Sequence, residues 1–370
     1  FKKLRKQHKL DGHGNCLALL NMIFEVRPIL FSRVVKAYVW DYLDFQKHET
    51  VWGQVYGKES HNPSSDACRA ILPLSAMHTI VDSLLSAKIL AELPRILPVQ
   101  EGCYLGGRPG TQCLDIAFDC QMVIEAGLDM HSKSAVCQAD LRRYYDSLPT
   151  LHIAMFLIQL GVCPMLVAAC IVAQMCPDIH LAFLDSTCKI SQRTLGALTG
   201  SRLAGAFGFV CVSYCMIQRI SEWSKHCFSM GGRKIVLSSW IDNCYAFSKS
   251  ACGAISIIED MELYLLQRWG LGVKSSSRGV LVSRGGDVQY DHQKWGECNH
   301  MQVLGHIISD DCGINYDLRK VVPSLWGAFW KNAGCVAAKH CDVSSKLSLL
   351  TRTVTPVLMW RVSRWPWQQT

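Results

Sequence analysis

Arg233-Lys234-Ile235-Val236-Leu237-Ser238-Ser239-Trp240-Ile241 runs into Asp242-Asn243 and then Cys244-Tyr245-Ala246-Phe247. Two β-compatible runs separated by a pair that tolerates turn dihedrals predict a hairpin with a carboxylate at its tip. A second short apolar run, Ala135-Val136-Cys137-Gln138-Ala139-Asp140-Leu141, predicts a strand with a carboxylate near its end. Adjacent strands of one sheet would bring Asp140 and Asp242 to the same edge. That arrangement suits Mg²⁺, which prefers oxygen ligands and is held by one or two carboxylates plus substrate phosphates. From spacing alone, a strand-end cap and a turn former explain the two aspartates as well.

Outward from the hairpin, Ser250 can cap a helix with apolar positions at Ala254, Ile257, Ile258, Met261, Leu265 and Trp269. Glu259, Asp260 and Glu262 fall on its outward side, and Gly270 supplies the stop. Further strands are expected at 279–283 and 302–308, and a basic helical segment at 318–360. Upstream, a helix is expected over 74–93, ending before Pro94, then a glycine-rich loop at 101–112 and a helix at 114–126. Residues 57–67 read as a surface loop, and the lysines and arginines of residues 1–9 as a solvated basic end. Residues 151–175 are almost wholly apolar. Gly161 and Pro164 divide them, and the flanks lack a Lys/Arg asymmetry, so a buried helical hairpin is preferred to a membrane span.

The whole chain has 370 residues, 49% of them hydrophobic and 18% charged, with a net charge of +8. This excludes a disordered chain and a small disulfide-stapled scaffold, and implies more than one subdomain. The 19 cysteines are an odd count and include no CxxC pair, which reads as reduced, buried, intracellular thiols. Cys335, His340 and Cys341 lack a fourth ligand at a zinc-site spacing. The start at Phe1 and the end soon after Trp367 read as a fragment of a longer polypeptide, with no targeting signal visible.

The order of segments resembles the reverse transcriptases of non-LTR (LINE-type) retrotransposons, as a divergent copy. Arg69-Ala70-Ile71-Leu72-Pro73-Leu74-Ser75 resembles the "RPI–L–S" finger segment, and residues 100–111 the glycine-rich finger loop that follows it. Ala139-Asp140 through Tyr145-Asp146-Ser147-Leu148 is similar to the first palm motif. Gly196-Ala197-Leu198-Thr199-Gly200-Ser201 is similar to the next, where the family carries Gln-Gly at Thr199-Gly200. Trp240-Ile241-Asp242-Asn243 takes the place of the aromatic-Ala-Asp-Asp box. Trp269-Gly270-Leu271-Gly272-Val273-Lys274 and Val303-Leu304-Gly305 resemble the later palm motifs, and residues 346–367 the thumb segment.

The resemblance implies an α+β right-hand polymerase fold, with fingers at 1–132, an antiparallel-sheet palm at 133–312 and a partial helical thumb at 313–370. It implies an RNA-directed DNA polymerase that joins a nucleotide to a primer 3′-hydroxyl with two Mg²⁺ (or Mn²⁺) ions. Asp140 and Asp242 would be the catalytic and metal-binding carboxylates, joined by the Leu141 carbonyl and by Asn243. Arg69, Tyr145, Thr199, Gly200 and Lys274 would form the nucleotide site, Tyr145 under the incoming sugar and Lys274 near the leaving phosphates. On residue type alone, Tyr145 could equally be palm core, Arg69 a solvent-facing helix-start residue and Lys274 a surface lysine. The partners would be an RNA template, a DNA primer and deoxynucleoside triphosphates, in the nucleus or cytoplasm, with no membrane. Asn243 departs from the family box and removes a negative charge. The competing reading is therefore a polymerase-dead relic that keeps the fold and binds nucleic acid. An RNA polymerase on the same palm is a third reading. No endonuclease, RNase H or zinc-knuckle segment is visible, and the sequence does not indicate an oligomeric state.

Overall fold

The computed structural model describes residues 50–57, 68–130, 133–175, 177–183, 186–190, 195–284 and 294–362. The basic segment at 1–9 and nearly all of the loop expected at 57–67 lie outside them. In chain order the elements are β1 (Thr50–Gly57), β2 (Cys68–Ile71), α1 (Ala76–Ile96), β3 (Cys103–Gly106), α2 (Cys113–Asp129) and β4 (Ala135–Asp140). Then come α3 (Tyr144–Ser147), α4 (Thr150–Gln159), α5 (Pro164–Met175), β5 (Asp178–Phe183), β6 (Ser186–Ile190) and α6 (Arg202–Trp223). The hairpin region holds β7 (Phe228–Met230), β8 (Arg233–Ile235), β9 (Leu237–Trp240) and β10 (Asn243–Ser248), followed by α7 (Ala251–Trp269). Last are β11 (Gly279–Val282), β12 (Gly296–Glu297), β13 (His300–Val303), β14 (His306–Ser309), α8 (Asn315–Lys331), α9 (Ala333–Ala337), α10 (Val343–Thr353) and α11 (Thr355–Val362).

The chain separates into two compact units, Phe1–Ala91 with Pro149–Ala206, and Glu92–Leu148 with Phe207–Thr370. Both are discontinuous, whereas the three segments expected from sequence are contiguous.

In the first unit, β2-β1-β5-β6 form a four-stranded sheet in which β1 and β5 are parallel and the other neighbours antiparallel. The apolar run at 151–175 is the expected helical hairpin. Gly161 takes φ +84° at the bend, and Pro164 opens α5, where its missing N–H costs nothing. A different helix, Arg202–Trp223, is long and apolar enough to cross a membrane by length and composition, and 67% of its most apolar stretch is buried.

In the second unit, β12-β11-β4-β10-β9-β3 form a six-stranded sheet. Its central pairs β11–β4, β4–β10 and β10–β9 are antiparallel, whereas β3–β9 and β11–β12 are parallel. The expected α+β class is found, and the sheet is mixed, with Asp140 and the turn residue Asp242 at the end of its antiparallel central pairs. Val136, Tyr245, Phe247 and Leu281 pack from this sheet against Ile116, Cys120, Val123 and Ile124 of α2 and against Met301, Val303 and Ile308. Helix α7 forms as expected. Ser250 accepts a hydrogen bond from the Gly253 N–H at 3.1 Å, and Gly270 closes the helix at φ +71°.

Six local expectations are corrected. Residues 241 and 242, not 242 and 243, form the hairpin turn, because Asn243 is already paired with Trp240, and Ile241 takes the left-handed conformation at φ +59°. Residues 233–241 are two strands broken at Val236, whose N–H turns aside to the Gly102 carbonyl at 2.8 Å. The glycine-rich stretch 101–112 contains β3, recruited as a parallel partner of β9. The strand expected at 302–308 is a hairpin, β13–β14, turned at Leu304-Gly305 with φ +48° and +98°. Finally, α1 continues to Ile96 and carries Pro94 in its last turn. The side of α7 expected to face water is half-buried and paired instead: Asp260 with Arg219 at 2.6 Å, Glu262 with Arg278 at 2.6 Å, and Glu259 with Lys294 at 2.5 Å.

Candidate active site

Asp140 ends β4 and Asn243 begins β10, and the antiparallel register places them directly opposite each other. One step further, the Leu141 N–H donates to the Asp242 carbonyl at 2.8 Å, so the hairpin tip is tied to the end of β4. Thus Asp140, Leu141, Asp242 and Asn243 lie together where β4 ends and β10 begins. Both aspartates are half-buried. The Asn243 amide donates to Asp242 Oδ1 at 3.0 Å, a bond that an aspartate at 243 could not make when ionised.

The charges of both aspartates reach one thiol. Burial pushes Cys244 up to about 12; the Ser239 hydroxyl opposes that rise, and Asp242 and Asp140 add to it. The neighbouring tyrosines divide their duties. Tyr144 is buried and packs on Gly208 of α6, and burial holds its phenol far above the usual range. Tyr145 is half-buried, with its ring 5.4 Å from that of Tyr144. Burial raises its phenol, and the Asp242 charge raises it further. The Asp242 charge raises both phenols, and the two differ in burial: Tyr144 is a core residue and Tyr145 is half-buried beside it.

Lys274 is exposed, and its main chain is bound to the site. Its N–H donates to the Asp140 carbonyl at 2.8 Å, and the Arg142 N–H donates to the Gly272 carbonyl at 2.8 Å. A residue that the sequence does not single out is Ser277. Its hydroxyl accepts the Asp140 N–H at 2.9 Å and donates to the Lys274 carbonyl at 2.7 Å. Only a strand register could have signalled this, since Ser277 stands where a ladder partner of Asp140 would be.

The donor set at this edge is all oxygen: two carboxylates, the Leu141 carbonyl and the Asn243 amide oxygen. It fits a hard cation such as Mg²⁺ or Mn²⁺. Among the described residues, no group of three or more His, Cys, Asp or Glu side chains could hold a metal, and Cys335, His340 and Cys341 form no such group.

The remaining candidates belong to the first unit. Arg69 lies in β2 opposite Tyr56, so it is a strand residue rather than a helix start. Thr199 is half-buried and Gly200 exposed in the turn before α6. Gly200 takes φ +94°, and a Cβ there would come no nearer than 4.0 Å to the Leu72 carbonyl oxygen. Its backbone conformation, not lack of room, calls for glycine. That turn is held by Asp82. Asp82 Oδ1 accepts from Gln174 Nε2 at 3.1 Å and Ser201 Oγ at 2.6 Å, and Oδ2 from the Arg202 N–H at 2.7 Å and the Leu203 N–H at 3.4 Å. Gln174 in turn accepts the Leu198 N–H at 2.9 Å.

No family model and no curated protein matches the chain. Solved structures similar to it include apo telomerase from Candida tropicalis truncated from its C-terminal domain, at 12% identity over 70% of this chain and 53% of that one, with a TM-score of 0.44. Another is telomerase from Candida albicans in complex with a TWJ fragment of telomeric RNA, at 11% identity over 91% and 61%, with a TM-score of 0.45. The corresponding complex from Candida tropicalis matches at 11% identity over 84% and 53%, with a TM-score of 0.48. The chain thus spans between 53% and 61% of the length of these similar proteins.

Proposed function

We propose that the chain is an RNA-directed DNA polymerase domain of the non-LTR retroelement type, with the second unit carrying the palm. The observation that carries this reading is the register that sets Asp140 against the 242–243 turn, with the Leu141 N–H on the Asp242 carbonyl at 2.8 Å. It joins, at one sheet edge, the two motifs in which the sequence resemblance places the catalytic carboxylates.

Asp140 and Asp242, with the Leu141 carbonyl and the Asn243 amide oxygen, would hold Mg²⁺ or Mn²⁺. When bound, the cation supplies charge neutralisation at the attacking hydroxyl and at the triphosphate. The chain's own residues supply position. The ladder from β4 to β10 fixes the two carboxylates, Tyr145 borders the site on the side of Asp242, and Lys274 presents an ammonium from a loop bonded to Asp140. The sequence resemblance adds Arg69, Thr199 and Gly200 of the first unit as nucleotide-site candidates. An RNA template, a DNA primer and deoxynucleoside triphosphates are the proposed partners, in a nuclear or cytoplasmic setting.

The direct test is extension of a DNA primer on an RNA template with deoxynucleotides and Mg²⁺. Extension that Asp140→Asn and Asp242→Asn each abolish supports the reading. Asn243 favours one alternative, a relic that binds nucleic acid without synthesis. Absence of extension together with duplex binding that weakens steeply with salt would establish the relic and refute the polymerase.

A further inference from the structure

The strand β11 stops pairing with β4 at Gly279, which stands opposite Gln138. Two residues earlier, a continuing ladder would set Ser277 opposite Asp140. The chain there coils instead into a single 3₁₀ turn, Ser275–Ser277. The main-chain acceptor that Asp140 would have met is replaced by a side chain. Ser277 Oγ accepts the Asp140 N–H at 2.9 Å and donates its own hydrogen to the Lys274 carbonyl at 2.7 Å. The Lys274 N–H closes the ring on the Asp140 carbonyl at 2.8 Å, and the Ser277 N–H donates to the Lys274 carbonyl at 3.0 Å.

The far end of the turn is anchored as well. Arg278 Nη2 meets Glu262 of α7 at 2.8 Å on Oε1 and 2.6 Å on Oε2, and its guanidinium lies 5.5 Å from the centre of the Trp295 ring. The turn is thus pinned to the helix layer at one end and to the strand carrying Asp140 at the other. Its middle link is the one hydroxyl of Ser277.

We propose that Ser277 is a positioning residue that holds Asp140 in register for cation binding and couples that carboxylate to the loop presenting Lys274. The inference rests on the metal-dependent reading above and deepens it. A serine hydroxyl is suited to the task because it accepts and donates at once. Alanine would leave the Asp140 N–H without its acceptor and remove one of the two donors on the Lys274 carbonyl. Sites of this kind need their ligands held within about 0.5 Å, so a loosened strand end weakens the cation before it weakens the fold.

The test is Mn²⁺ binding by the full chain, followed through the electron paramagnetic resonance of free Mn²⁺, which needs no turnover. The wild-type chain should bind Mn²⁺ and Asp140→Asn should abolish binding. Ser277→Ala should weaken it about tenfold, a usual effect of removing a partner behind a metal ligand. Ser277→Thr keeps the hydroxyl at a half-buried position and should stay within about twofold of wild type. Wild-type-like affinity in a folded Ser277→Ala, or a Ser277→Thr as weak as the alanine variant, overturns the proposal and leaves the metal reading standing. Absence of Mn²⁺ binding in the wild type, or binding unaffected by Asp140→Asn, overturns the metal reading and the proposal with it.

Discussion

Asp82 in the first unit and Asp140 in the second are both aspartates beside a turn, and the structure uses them in opposite ways. Asp82 is buried, and its two oxygens accept four hydrogen bonds, from Gln174, Ser201, Arg202 and Leu203. The carboxylate is itself the lock: it caps α6 and fixes the turn carrying Thr199 and Gly200. Asp140 is half-buried, and its place is set through its main chain, N–H to Ser277 and carbonyl to Lys274. A carboxylate whose lone pairs hold the fold cannot also hold a ligand. Asp140 is instead registered by its strand, and the hairpin tip brings a second carboxylate beside it.

The contrast breaks first at Asp82. Asp82→Asn turns an NH₂ toward groups that are all donors, leaving hydrogen bonds to a charged acceptor unmade inside the core. The expected loss is about 3–5 kcal/mol of unfolding free energy, measured by urea titration. Asp140→Asn and Asp242→Asn should each cost less than about 1 kcal/mol in the same titration, because partly exposed substitutions away from such networks are mild. An Asp140→Asn loss as large as that of Asp82→Asn would make Asp140 a structural carboxylate and remove the basis of the site.

Asp119 of α2 is a third case, burial with little compensation. Ser238 Oγ approaches it at 3.4 Å, and burial pushes its carboxyl up to about 6, with Ser238 opposing and Asp115 adding to the shift. A raised folded-state pKa means that the folded protein holds its proton more tightly than the unfolded chain does. The stability contributed is complete below the unfolded value near 4 and is lost as pH rises through 6. At pH 7, Asp119→Asn should therefore be more stable than wild type, by up to about 2–3 kcal/mol, and the two should converge near pH 4. Denaturation at the two pH values measures it; a variant less stable than wild type at pH 7 contradicts the assignment.

The tyrosine pair repeats the contrast on a smaller scale. A Cβ at Gly208 would collide with the buried hydroxyl of Tyr144, which has no hydrogen-bond partner among the described residues. Gly208→Ala should cost about 1–3 kcal/mol through overpacking, despite its gain in helix propensity. Tyr144→Phe should be close to neutral alone and should recover only part of the loss in the double variant, because the ring carbons Cζ and Cε1 would still meet that Cβ. Tyr145→Phe in place of Tyr144→Phe should give no recovery, since the contact belongs to Tyr144.

Much of this was legible in the sequence, and the limits have physical causes. The strand ending in Asp140, the capped helix after Ser250 and the divided apolar run at 151–175 follow from local rules of alternation, capping and breaking, so they were read correctly. The meeting of Asp140 with the 242–243 turn needed the order of motifs, because no local rule specifies which strands pair. Ser277 and Asp82 were invisible for the same reason. Ser277 acts through a partner 137 residues away and Asp82 through partners as far as 121, and nothing in a serine or an aspartate taken alone announces such a bond. The turn was misplaced by one residue because Asp-Asn is a favourable turn pair by composition, whereas the register with Trp240 forced the left-handed residue onto Ile241.

The smallest expected effect on stability bears most closely on the candidate site. Asn243 stands opposite Asp140 and donates to Asp242, so one neutral amide separates two carboxylates that would otherwise crowd a third. Asn243→Asp removes the donor and places like charges directly across the strand pair, a cost of about 0.2–1 kcal/mol without metal. The same change adds an anionic oxygen ligand, so Mg²⁺ should return at least that much stability and Mn²⁺ affinity should rise above that of the wild type. The sign of the stability change should therefore reverse between metal-free and metal-saturated protein. Asp82→Asn offers the contrast, since its loss should be the same in both conditions. An Asn243→Asp variant destabilised equally with and without Mg²⁺ would show that this edge does not gather a cation, and that Asn243 serves the hairpin alone.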